Sequence, residues 1–79
     1  MTVHLHMKLS DAPVGSTVRI KHLQSHPEVT ARLREMGLCE ESIIRCVATS
    51  HGNVICEVMN ARIGVNGALA SGILVASCD

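Results

Sequence analysis

The clearest hydrophobic periodicity in the chain lies in residues 27–38. Val29, Leu33 and Met36 recur at i, i+4 and i+7 and form one apolar stripe, while Arg32, Arg34 and Glu35 fall off it. Pro27 suits a first helical position, where its missing N–H has no intrahelical partner and its φ is already set. Ser25 or His26 caps this helix, and Ser25 is the better acceptor for the free N–H groups. Gly37 ends it, because glycine enters the left-handed region without a Cβ penalty, and Leu38 just beyond can fold back onto the stripe. The pattern predicts one short helix whose stripe meets whatever the flanking segments build.

Those segments read with a period of two. Residues 10–16 are dense in turn formers, so Leu9 plugs the core before a first strand in which Val18 and Ile20 face in and Arg19 and Lys21 face out. After the helix, residues 39–42 turn the chain into a β-branched strand over 43–49, residues 50–53 have the composition of a hairpin tip, and residues 54–59 return antiparallel. Parity constrains this hairpin. If Ile44 and Cys46 face the core on one strand and Val54, Cys56 and Val58 on the other, paired residue numbers must have an even sum. A two- or four-residue loop gives an odd sum and drives Glu57 inward opposite Cys46, so a three- or five-residue loop or a bulge is expected. Asn60-Ala61 makes the next turn, residues 62–65 another short strand, Asn66-Gly67 a further turn and residues 68–72 one helical turn before a closing strand over 73–75. The fold class is mainly β: about five short strands and one short α-helix inserted after the first strand cannot make two stacked sheets, and a small, strongly bent barrel closes the edges instead.

Composition narrows the function. At 79 residues and 47% hydrophobic, the chain has one modest core, with residues 1–6 as a flexible leader and 7–79 as a single domain. Support from a second copy, as a homo-oligomer, fits so small and apolar a chain. Lys plus Arg number seven and Asp plus Glu number seven, so no net field draws the chain to nucleic acid or an anionic membrane. Aromatic residues are absent, which removes the base-stacking platform of single-strand and RNA-binding barrels. No apolar run approaches the roughly 20 residues that span a bilayer, and the first residues lack a secretory pattern, so a cytoplasmic location is expected. Cys39, Cys46, Cys56 and Cys78 show no C-x-x-C spacing and read as buried thiols rather than as a zinc site or a disulfide framework.

Three function classes can be weighed on residues. Catalysis is the least supported, since no local motif brings a nucleophile, a base and an orienting group together. Metal binding, with a divalent transition metal ion as cofactor, would use His22, His26 and Glu28, an imidazole and carboxylate set suited to ferrous iron, with Cys39 as a softer addition. His22 and His26 are four apart, but His22 is still in the strand when Pro27 starts the helix. An interaction module would present Arg32, Arg34 and Glu35 on the polar helix face to a partner of complementary charge.

The order of pieces carries a family pattern. Leu9-Ser10-Asp11, Gly15-Ser16-Thr17-Val18, Arg32-Leu33-Arg34-Glu35-Met36-Gly37-Leu38, the hairpin and Ile73-Leu74-Val75 together resemble the FeoA family of ferrous iron transport accessory proteins, with Arg32-Leu33 and Met36-Gly37-Leu38 the most specific part. The resemblance implies an SH3-like barrel and a cytoplasmic partner of FeoB, the membrane GTPase that moves ferrous iron inward. Where such sequences usually carry Pro-Gly or a similar turn after the Met-Gly-Leu segment, this chain has Glu40-Glu41. The same barrel forms the terminal domain of metal-dependent DtxR-like repressors, which makes a small metal carrier or sensor the alternative reading.

Overall fold

The computed structural model describes residues 6–78, so the expected leader, His6 apart, lies outside the described residues. Six strands form one antiparallel sheet: β1 (Met7–Lys8), β2 (Thr17–Leu23), β3 (Ile43–Ser50), β4 (Asn53–Val58), β5 (Ala61–Val65) and β6 (Ile73–Ser77), in the spatial order β1-β6-β2-β3-β4-β5. Two α-helices complete it, α1 (Pro27–Glu35) between β2 and β3 and the short α2 (Gly67–Ala70) between β5 and β6, with one 3-10 turn (Leu9–Asp11) after β1. This is the small, bent barrel anticipated from the pattern, in the SH3-like form that the family resemblance implies, with the helix following the first long strand. The two-residue β1 is additional, pairing Met7 with Val75 at the sheet edge, and Leu9 immediately after it is fully buried.

Two bulges set which side chains enter the core. Between β3 and β4 the pairs Ser50↔Asn53, Thr49↔Val54 and Ala48↔Ile55 are followed by Cys46↔Cys56 and Arg45↔Glu57, so Val47 is the extra residue. The loop itself is the two-residue His51-Gly52, both at positive φ (51° and 82°), the conformation that matches strand twist in tight hairpins. The bulge restores the even parity that this loop alone would break, and Cys46, Cys56 and Val58 all face the core while Glu57 does not. In β2 a second register shift falls between Ile20 and His22, which brings Leu23 inward after Val18 and Ile20. The core gathers Leu9, Val18, Ile20, Leu33, Leu38, Ile44, Val65, Ile73 and Val75 with the two buried cysteines.

Helix α1 closes as its sequence implies. The Leu38 N–H donates to the Leu33 carbonyl at 2.8 Å and the Gly37 N–H to the Arg34 carbonyl at 3.0 Å, with Gly37 at φ +91°. This paired arrangement satisfies carbonyls left free at the helix end and returns Leu38 to contact the core beside Leu33. Four local expectations are corrected. Of the two cap candidates, His26 rather than the preferred Ser25 occupies the position, because Pro27 is the first helical residue, and the His26 side chain makes no cap bond. Met36 is 42% exposed: the helix ends at Glu35, and Leu38 fills the place the third stripe residue would have taken. The β4–β5 turn is Met59-Asn60, both at positive φ, rather than Asn60-Ala61. Cys46 and Cys56 are buried thiols, but Cys39 is only partly covered and Cys78, past the end of β6, is exposed.

Candidate functional site

A groove of about 430 Å³ runs between α1 and α2, lined by Val29, Arg32, Leu33, Glu35, Met36 and Leu69. Each element contributes for a local reason. In α2 the Asn66 side chain accepts the Leu69 N–H at 2.8 Å, an N-terminal cap that orders the single turn carrying Leu69. In α1 the residues one position off the buried stripe place Arg32 and Glu35 on the rim. The result is an open apolar trough with one positive and one negative side chain beside it, neither in an ion pair among the described residues.

The helix-face residues singled out from sequence therefore separate. Arg32 and Glu35 reach the groove, whereas the Arg34 guanidinium donates to both carboxylate oxygens of Glu40 at 3.2 and 3.1 Å and ties the helix end to the following turn. His22, His26 and Glu28 are all exposed, His22 in β2 and the others at the start of α1. Among the described residues no group of three or more His, Cys, Asp or Glu side chains is placed to share a metal ion. Sequence reasoning missed Leu69, because its approach to α1 is set by the barrel and not by any local period. It also missed the exposure of Met36, for which the helix-ending Gly37 was the available signal.

Glu40-Glu41 occupies a tight turn in which the Ser42 N–H donates to the Cys39 carbonyl at 3.0 Å. Glu41 has φ 71°, the third-position conformation of a type II turn, for which proline followed by glycine is the favoured pair. The glutamates bring charge to this turn instead. Lys21 Nζ lies 2.7 Å and Arg19 3.5 Å from the Glu41 carboxylate. Glu40 is held below its ordinary 4.5 by a bond from its own backbone N–H and then by Arg34, and Glu41 is held below 4.5 chiefly by the hydrogen bond from Lys21. Folded values below the unfolded one mean that these groups add stability above pH 4.5, and that this contribution disappears as pH falls through the folded values. Urea unfolding followed by far-ultraviolet circular dichroism in an acid series should show stability falling there. The double variant Glu40→Gln, Glu41→Gln should show a shallower fall, and added salt should shrink the difference because the pairs are exposed.

A second depression, about 470 Å³, is lined by His6, Arg19, Lys21, Ala76, Ser77 and Cys78. Its cations are already engaged by Glu41, so it offers less unsatisfied charge than the groove. No helix among the described residues is long and apolar enough to cross a membrane.

No curated protein matches the chain at a significant level. The chain is similar in structure to a FeoA protein from Chlorobium tepidum (TM-score 0.86, 20% identity, 92% of this chain and 71% of that one). It is also similar to iron(II) transport protein A from Clostridium thermocellum (TM-score 0.85, 28% identity, 91% of this chain and 46% of that one). A manganese-dependent transcriptional repressor contains the same fold (TM-score 0.85, 18% identity), this chain matching over 98% of its length but spanning 44% of the repressor. The family model described as the FeoA domain matches residues 7–77, from the first strand to the end of the last, and the chain belongs to the FeoA family.

Proposed function

We propose that this chain is a non-enzymatic, cytoplasmic accessory protein of ferrous iron uptake that docks on a FeoB-type membrane GTPase transporter. It modulates the transporter by binding one of its states more tightly than the others. The observation that carries the reading is the α1–α2 groove: a solvent-open apolar trough beside an unpaired Arg32 and Glu35, in a family of iron-transport accessory proteins. An apolar centre with charges at its edge is how transient protein interfaces combine affinity with orientation. Met36 suits the centre, since its unbranched thioether adapts to a partner surface. Arg34 contributes by fixing the end of α1 through Glu40. The metal-carrier reading, with His22, His26 and Glu28 as ligands, has weaker support, because those side chains belong to no three-ligand cluster among the described residues.

Arg32→Glu combined with Met36→Glu tests the docking face. Both positions are exposed, so the variant should match the parent by circular dichroism. Binding to detergent-solubilised FeoB should weaken by about 10- to 100-fold, the range expected when one or two central contacts are lost, and ferrous iron uptake should fall in cells carrying it. A folded variant with unchanged binding and uptake would show that FeoB is engaged elsewhere or not at all.

A further inference from the structure

Cys46 and Cys56 face each other across β3 and β4, with 1% and 0% of their surfaces exposed. Their alignment depends on the bulge. Continued from the hairpin tip without it, the ladder would set Cys46 opposite Glu57; skipping Val47 sets it opposite Cys56. The backbone bonding of Cys46 then fixes the kind of pair. Its N–H donates to the Ser16 carbonyl at 2.9 Å and its carbonyl accepts from the Gly15 N–H at 2.6 Å, so both groups point away from β4. Cys46 and Cys56 are therefore a non-hydrogen-bonded antiparallel pair, the close kind, with Cα atoms typically about 4.5 Å apart. That separation falls within the roughly 4.4–6.8 Å that disulfides span.

We propose that Cys46 and Cys56 form a reversible redox site, converted by a small peroxide into a cross-strand disulfide and restored by a thiol reductant. A lone buried thiol is packing; here the second thiol is already in place to resolve the oxidised first. The Cys46 thiolate attacks one peroxide oxygen and the O–O bond breaks, giving a Cys46 sulfenic acid and hydroxide, which takes up a proton to become water. The Cys56 sulfur then attacks the sulfenic sulfur, forming the S–S bond and expelling the sulfenic oxygen, which leaves as water with the Cys56 proton. Two thiols and one hydrogen peroxide thus become one disulfide and two waters, the thiols losing the two electrons that the peroxide gains. Proton loss from the pair is eased at one sulfur: the hydrogen bond from Cys56 draws Cys46 below the ordinary thiol range, while donating that bond, and then burial, push Cys56 up. Both sulfurs lie in the core, so oxidation waits on local opening of the strands and runs behind that of exposed Cys78. The site is independent of the docking groove.

The test uses the full chain with Cys39→Ser and Cys78→Ser, which leaves the pair as the only thiols. The folded protein is exposed to hydrogen peroxide for as long as the parent needs to oxidise Cys78 completely and ten times longer, then unfolded, alkylated and digested with trypsin. Cleavage after Arg45 and Arg62 leaves both cysteines in one peptide, residues 46–62, with no internal Lys or Arg. The expected product is this peptide without alkyl groups and lighter by two hydrogens at its cysteines, with one oxygen added at exposed Met59 counted separately, and it returns to two alkyl groups after dithiothreitol. With Cys56→Ser added, the same treatment should stop at a Cys46 sulfenic acid that dimedone traps. Two alkyl groups after the longer exposure, or oxygen added to the cysteines without loss of the two hydrogens, would overturn the proposal.

Discussion

Leu33→Ala is expected to remove about 2–5 kcal/mol of folding stability, the range for emptying a buried leucine site. Leu33 is 1% exposed and, with Thr30, is the buried anchor of α1. It also meets Leu38 where the chain folds back past Gly37. A chain of this size has roughly 4–12 kcal/mol in total, so the loss is a large fraction of it. The midpoint of thermal unfolding should fall by about 8–40 °C. Because Leu33 is also part of the groove, FeoB binding should weaken along with folding. Arg32→Glu separates the two effects: it should weaken binding while leaving the unfolding midpoint where it was. The midpoints come from circular dichroism in the far ultraviolet, since the chain has no Trp or Tyr to report on unfolding.

Gly37→Ala is the second large effect, expected at about 2–3 kcal/mol. The φ of +91° costs an L-residue about 1–2 kcal/mol. A Cβ there would also stand 3.0 Å from Val58 Cγ1 and 3.5 Å from Met59 Sδ, so the β4 end must give way as well. Gly15→Ala provides the comparison, because Gly15 has φ +92° but nothing within 4 Å of the added carbon. Gly15→Ala should therefore show the conformational penalty alone, and urea unfolding of the pair should place Gly37→Ala about 1 kcal/mol lower. Equal losses would mean that the Val58 contact relaxes without cost.

The barrel was legible because its local signals agree. Pro27 and Gly37 bracket the helix, alternation marks β2, and the parity of Cys46, Cys56 and Val58 required a three- or five-residue loop or a bulge, of which the structure has the bulge, at Val47. The limits were equally local in origin. Met36 continues the i, i+4, i+7 stripe of Val29 and Leu33, yet the reversal at Gly37 substitutes Leu38 for it in the core. Leu69 belongs to a four-residue helix more than thirty positions from α1, and only the sheet order brings the two together. Arg34 could not be told from Arg32 on the helix face until the turn carrying Glu40 was positioned. In the same way, the Glu40-Glu41 departure from a Pro-Gly turn became intelligible once Glu41 was seen at φ 71° facing Lys21 and Arg19.

Whether the α1–α2 groove meets FeoB is read by an NMR titration of the isotope-labelled chain. Detergent-solubilised FeoB is added in one arm and ferrous iron alone, in oxygen-free reducing buffer, in another. Docking through the groove should give shifts or broadening with FeoB centred on Val29, Arg32, Glu35, Met36 and Leu69, reached only at about 10- to 100-fold higher FeoB concentration in the Arg32→Glu, Met36→Glu variant. Saturable changes with iron alone at His22, His26 and Glu28, with the groove residues silent toward FeoB, would contradict it and make the chain a metal carrier.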